Sequence, residues 1–144
     1  KQTLQRTNAE RRKMQKDLIT VVQSWQEAAN QQNVTAVLEL SHPDIEIVGP
    51  QGVAQGHQVL KGWISRAGLT LETYQIFAKD AVVVMAQHGT WRSAETNDKE
   101  STADVATVFH VVDGKVTYLA RYDRLEEALS KANLCLDDEI KSGA

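Results

Sequence analysis

The chain has 144 residues and a single cysteine, Cys135, so no disulfide can form within it. A lone thiol fits a reducing compartment, and the expected location is the cytoplasm. Long hydrophobic runs are missing too. The longest, Ala81 to Ala86, is far shorter than the roughly 20 residues a membrane-spanning helix needs. The first seventeen residues hold only Leu4, Ala9 and Met14 as apolar side chains, so no signal-peptide core is visible. Neither sign of charge dominates: 16 basic and 19 acidic residues leave a net charge of −3. That balance argues against nucleic acid as the main partner. The basic cluster Arg11-Arg12-Lys13 with Lys16 lies in a polar stretch and reads as a solvated helix end.

Several chemical signatures are also missing. The four histidines form no HxH or HExxH spacing and pair with no carboxylate in sequence, so no metal is expected. Gly49, Gly52 and Gly56 are not followed by Lys-Ser/Thr, which excludes a phosphate loop and leaves no nucleotide cofactor implied. No Ser/His/Asp or Cys/His nucleophile pattern stands out, and Cys135 sits in the tail.

What is present is a change of period along the chain. Residues 1–16 are polar and read as a helical extension. From Asp17 the stripe Leu18, Val22, Trp25, Ala29 predicts an amphipathic helix, broken by Asn30-Gln31-Gln32-Asn33. Asn33 is placed to cap a second helix, Val34 to Leu40. Ile45 and Ile47, with Glu46 between them, predict a short strand after His42-Pro43. The string GPQGVAQG then turns a corner into a third helix, Gln58 to Ala67, closed by Gly68.

After Leu69 the pattern alternates. Leu69 to Phe77 predicts a strand with a slip near Thr73 that suits a bulge. Ala81 to Arg92 predicts a second strand, followed by the polar loop Ser93 to Ser101. Ala103 to Val112 and Val116 to Tyr122 predict a hairpin around Asp113-Gly114. A last helix is expected from Arg124 to Ala132, then a loose tail over 135–144. Three helices followed by a four-stranded meander make an α+β chain of one domain, 1–144.

In its helix VVQSWQEAANQQN, its corner HPDIEIVGPQG and its final hairpin VATVFHVVDGKVTYLARYDRLEEAL, the chain resembles the nuclear-transport-factor-2-like superfamily, in particular its SnoaL-like branch. The resemblance runs from about Lys16 to Leu134. It implies a curved antiparallel sheet wrapped around N-terminal helices, a cone with an internal pocket, and frequent dimers. Against ketosteroid isomerase, a member of the superfamily, the oxyanion-donating tyrosine falls on Trp25. The general-base aspartate falls on Gly49 and the protonated aspartate on Thr107. Glycine moves no proton, so that isomerisation is not expected. The epoxide-hydrolase members use an aspartate–arginine–aspartate set that this chain does not assemble. The cyclases use an acid–base aspartate near the sheet.

Candidate acid–base residues are His88, Asp104 and Asp123. His88 interrupts an apolar strand whose inward face the sequence leaves open. Asp104 reads as an outward, rim residue. Asp123 opens Asp-Arg-Leu-Glu, the spacing of a capping box. Arg121 reads as an ion-pairing neighbour of Asp123, His110 shares the face of Asp104, and His42 and His57 read as loop residues. The aromatics converge on the expected pocket, and the ligand-binding set is Trp25, Trp63, Thr107, Phe109, Tyr118 and Tyr122.

The leading expectation is a pocket protein for a small, mostly apolar molecule, paired as a homodimer, with no nucleic-acid or membrane partner. Two alternatives stand beside it. One is cyclase- or hydrolase-like acid–base chemistry in the cone. The other is an association module without ligand, like the oligomerisation domain of calmodulin-dependent kinase. The dimer is expected through an uncovered outer sheet face carrying Ala106, Val108, Thr117 and Leu119.

Overall fold

The computed structural model describes residues 8–49, 52–66, 69–92 and 100–140. Helix α1, Asn8–Asn30, includes the stripe predicted from Asp17 and lays Val22, Trp25 and Ala28 onto the sheet. Its end is tied down by Asn30. The amide nitrogen of that side chain donates to the Leu71 carbonyl at 2.9 Å, and its oxygen accepts from the Leu71 N–H at 2.9 Å. One side chain thus pairs like a strand with the backbone it faces. Asn33 caps α2, Val34–Glu39, by accepting from the Ala36 N–H at 3.3 Å.

The chain then enters β1, Ser41–Gly49, and returns in β2, Gly52–Gln55. Helix α3 spans His57–Arg66, so His57 opens a helix, while His42 lies in β1. Gly68, the expected cap, lies outside the described residues. Strands β3 (Leu69–Lys79), β4 (Val82–Arg92), β5 (Glu100–Val112) and β6 (Lys115–Tyr122) follow, then α4, Leu125–Ala132. The expected loop over 93–101 lies outside the described residues up to position 99.

Among the described residues the strands form one six-stranded curved sheet in the order β2-β1-β6-β5-β4-β3. Two features exceed the expected meander. Residues 52–55, read as part of a corner, pair antiparallel with β1. The long β1 then docks parallel on β6, so the first strand of the chain sits beside the last.

Local turn chemistry sets the hairpins. Asp113 and Gly114 both take positive φ, 52° and 77°, the backbone of a two-residue turn matched to strand twist. The slip predicted near Thr73 is a register shift between Thr73 and Gln75.

A second shift, between His110 and Val111, has larger consequences. Next to the turn Val111 pairs with Val116, but beyond the shift His110 pairs with Tyr118. The extra residue on β6 exchanges which of its side chains face inward.

The sheet buries both faces. Toward α1, α2 and α3 lie Val83, Met85, Phe109, Val111 and Leu119, packed with Trp25, Val37, Leu60 and Ile64. Toward α4 lie Phe77, Val84, Ala106, Val108 and Ala120, packed with Ala128, Leu129 and Leu134. The outer face was expected to lack a helix. Helix α4 covers its centre instead, and Leu119 points to the opposite face.

The expected loose tail is likewise attached as far as Ile140. A 3₁₀ turn spans Leu136–Asp138, and the Ile140 N–H donates to the Ile76 carbonyl at 2.7 Å. This contact covers part of the β3 edge, which would otherwise present unpaired backbone groups. Residues 141–144 lie outside the described residues.

Candidate functional site

The inner face of β5 grades from solvent to core. Ala103 is exposed, Val105 is 7% exposed, and Thr107 and Phe109 are fully buried. The concavity therefore opens toward the start of β5 and closes toward its end.

The closed end is aromatic. Trp25 and Phe109 meet edge to face with ring centroids 5.6 Å apart, a contact that leaves no ligand-sized gap between them. The single donor of Trp25 is already used. Its indole N–H donates to the Ser41 hydroxyl at 2.9 Å, and that hydroxyl donates to the Val37 carbonyl at 2.7 Å. Trp25 thus supplies a wall, with its donor turned toward the start of β1.

One level nearer the mouth lies a buried polar chain. Gln87 of β4 is fully buried. Its amide nitrogen donates to the Gln26 side-chain oxygen at 3.0 Å and to the Thr73 hydroxyl at 3.1 Å. Its amide oxygen accepts from the Thr107 hydroxyl at 2.7 Å. Gln26 in turn donates to Asn30 at 3.1 Å. At the other end, the Arg121 Nε donates to the Thr107 hydroxyl at 3.5 Å. Five elements contribute, and each amide or hydroxyl is oriented by its neighbour.

Arg121 reaches this chain because of the bulge in β6, which pairs it with Thr107. It keeps some contact with solvent, yet burial lowers its pKa to about 10. At neutral pH it remains a cation in the wall of the concavity. Val48 of β1 pairs with Ala120, the residue before Arg121.

The other predicted site residues lie elsewhere. Tyr118 and Tyr122 were expected in the cone and are on the outer face, packed with Ala106, Val108 and Ala120. The shifted register is the reason. There Tyr118 stacks on His110 with centroids 4.4 Å apart. Burial raises the Tyr118 pKa and lowers that of His110, with Glu46 opposing the second effect.

His88 also faces outward, since Val83, Met85 and Gln87 take the inner face of β4. It meets Asp104 at 2.9 Å, but the two side chains are 50% and 67% exposed. A pair so open to water contributes little to stability and lies across the sheet from Trp25. Asp123 is exposed and does not cap α4. The N-cap is Arg124, one residue later, and it makes no side-chain cap bond. Arg121 and Asp123 were expected on one strand face, but β6 ends at Tyr122 and Arg121 turns inward. The Trp63 side chain lies outside the described residues.

No carboxylate or imidazole shares the inner sheet face among the described residues. The arrangement offers hydrogen bonds, a cation and apolar walls. Gln87, Gln26 and Arg121 were missed as site residues. A signal existed for Gln87, an amide at a buried-face position of an apolar strand, alternating with Val83 and Met85.

A family model described as the SnoaL-like domain matches residues 22–119, more than half of the chain. No curated protein matches in sequence. Solved structures match in fold. An epoxide hydrolase of M. tuberculosis described as LEH-like superposes with a TM-score of 0.67 at 18% identity, over 81% of this chain and 90% of that one. TerC, co-crystallised with polyporic acid, gives 0.67 at 18% identity, over 82% and 97%. A nuclear-transport-factor-2-like protein of Burkholderia xenovorans gives 0.65 at 21% identity, over 82% and 96%. Family match, helix order and curved sheet agree: the chain belongs to the SnoaL-like domain family of the nuclear-transport-factor-2-like superfamily.

Proposed function

We propose that the protein binds a small, mostly apolar organic molecule in the concavity of its sheet, between the start of β5 and the Trp25–Phe109 contact. The observation that carries this reading is the asymmetry of the inner face. Its walls are apolar, and its polar groups are gathered into one oriented chain that includes Arg121. Ligand sites combine apolar walls with a few convergent polar groups in this way. Thr107 and Phe109 contribute to the floor of the site, Trp25 backs it, and Trp63 is assigned to it from the sequence.

Two relatives in fold support a pocket in use, one named as an epoxide hydrolase and one crystallised with polyporic acid. Acid–base catalysis by His88, Asp104 or Asp123 is not favoured, because all three are exposed and none shares the inner face. Homodimer formation remains part of the reading. Helix α4 packs mainly on β4, β5 and β6, and beyond it Val53 of β2 is 66% exposed beside Val48 of β1.

Titration with a neutral apolar fluorophore such as N-phenyl-1-naphthylamine tests the pocket. Saturable binding at one site per chain is expected, with loss of at least tenfold in affinity in Val105→Trp, which fills the open end. Absence of saturable binding, or equal binding by that variant, refutes the reading.

A further inference from the structure

We propose that the C-terminal segment, residues 134–140, is a clasp that gates the concavity from its β3 side, and that ligand reaches the deep end when the clasp opens. The inference rests on the pocket reading and adds the way in.

Strand β3 is an edge of the sheet, and this segment wraps round it. Leu134 is buried in the outer cluster with Phe77, Ala128 and Leu129. Further along, Ile140 packs against the inner cluster, as Ile76 of β3 does. Between the two anchors Glu139 forms an antiparallel bridge with Phe77, and the Gln75 amide nitrogen donates to the Glu139 carboxylate at 3.3 Å. The Ile140 N–H on the Ile76 carbonyl completes the closure. Ile76 pairs with Met85, and Met85 with Thr107, so the clasp shuts the edge at the depth of the buried polar chain.

At that depth a wall has to move. The open end at the start of β5 is already closed at Thr107. Trp25, Gln87, Thr107 and Phe109 are all fully buried, so a ligand that reaches the Trp25–Phe109 contact displaces something. The walls differ in what their movement breaks. Strands β3, β4 and β5 are joined by long ladders. Helix α1 is fixed by buried Val22 and Trp25 and by the Asn30 bonds to Leu71. The clasp is lighter. Its 3₁₀ turn buries no side chain, and Leu136 is 69% exposed. Segments with few buried apolar contacts open locally at low cost. Opening this one uncovers the Ile76 side of the concavity without separating any two strands of the sheet.

Stopped-flow mixing with N-phenyl-1-naphthylamine tests the gate. Gln75→Glu sets a second carboxylate against Glu139 and loosens the clasp from outside the core. Its association and dissociation rate constants should both rise at least threefold, with Kd within about twofold of wild type, because a gate limits entry and exit alike. In about 1 M NaCl, where the repulsion is screened, the excess should shrink. Ile140→Ala trims the inner anchor and should raise both rates at either salt concentration. Unchanged rates in either folded variant overturn the proposal. So does a rise confined to dissociation, which marks a fixed wall that has lost contacts. Saturable binding by wild type with either of those results removes the gate and leaves the pocket reading standing. If wild type does not bind the fluorophore saturably, the pocket reading itself falls and takes this inference with it.

Discussion

Replacing Gln87 by methionine keeps roughly the same volume and removes every hydrogen bond of its amide. Four partners lose a contact: the Gln26 oxygen, the Thr73 hydroxyl, the Thr107 hydroxyl and, more weakly, the Met85 sulfur at 3.7 Å. They do not lose equally. Thr73 is half-buried and can turn to water. Gln26, 6% exposed, and Thr107, fully buried, cannot easily do so. Leaving a buried polar group unsatisfied costs about 1–3 kcal/mol each. Thr107 still accepts from Arg121, so only its hydrogen is stranded. The expected loss is about 3 kcal/mol, or roughly 6–12 °C in Tm for a domain of this size.

Urea unfolding followed by circular dichroism measures it. Thr107→Val removes the stranded hydroxyl, so the double variant should lose about 1–2 kcal/mol less than the two single losses added together. A Gln87→Met protein within about 0.5 kcal/mol of wild type would refute the reasoning. Strict additivity with Thr107→Val would do the same, because the amide and the hydroxyl would then not depend on each other.

Two further outcomes can be checked. His110 has a pKa below its ordinary 6.5 because burial against Tyr118 disfavours the imidazolium, with Glu46 partly offsetting this. The unfolded chain therefore binds the proton more readily. The stability due to neutral His110 is present above pH 6.5 and is lost as pH falls through the lower folded value. Urea melts between pH 7.5 and 5 should show this slope, and His110→Phe should flatten it; an unchanged slope would count against burial as the cause. Sedimentation equilibrium at micromolar concentration should give twice the 16.0 kDa chain mass, and Val53→Lys should shift it toward the monomer. A wild-type protein that sediments only as a single chain would remove the homodimer from the functional reading.

The parts of the fold legible in the sequence are those set by short-range chemistry. The stripe through Leu18, Val22, Trp25 and Ala29 specifies a helix face because side chains three and four apart share a side. Asn33 caps α2 through a bond three residues away. Asp113-Gly114 selects its turn because both positions need positive φ. The slip at Thr73 breaks a period of two within one strand. These features, with the order of the elements, sufficed for the SnoaL-like architecture.

The site depended on relations the sequence does not contain. Alternation assigns side chains to two faces but does not say which face meets α1, so the orientation of His88 was open until β4 was seen against Gln26 and Trp25. Register beyond a hairpin is fixed only if no residue is inserted. The bulge after Val116 adds one, and it sends Tyr118 and Tyr122 outward and Arg121 inward. The parallel docking of β1 on β6 joins segments some seventy residues apart, and α4 covers Ala106 and Val108 from outside the sheet. Such contacts depend on which distant surfaces fill one another's space. For that reason the amino-acid sequence determined the fold and placed Thr107 in the concavity, while the tertiary structure alone decided that Gln87 and Arg121 join it at the polar end.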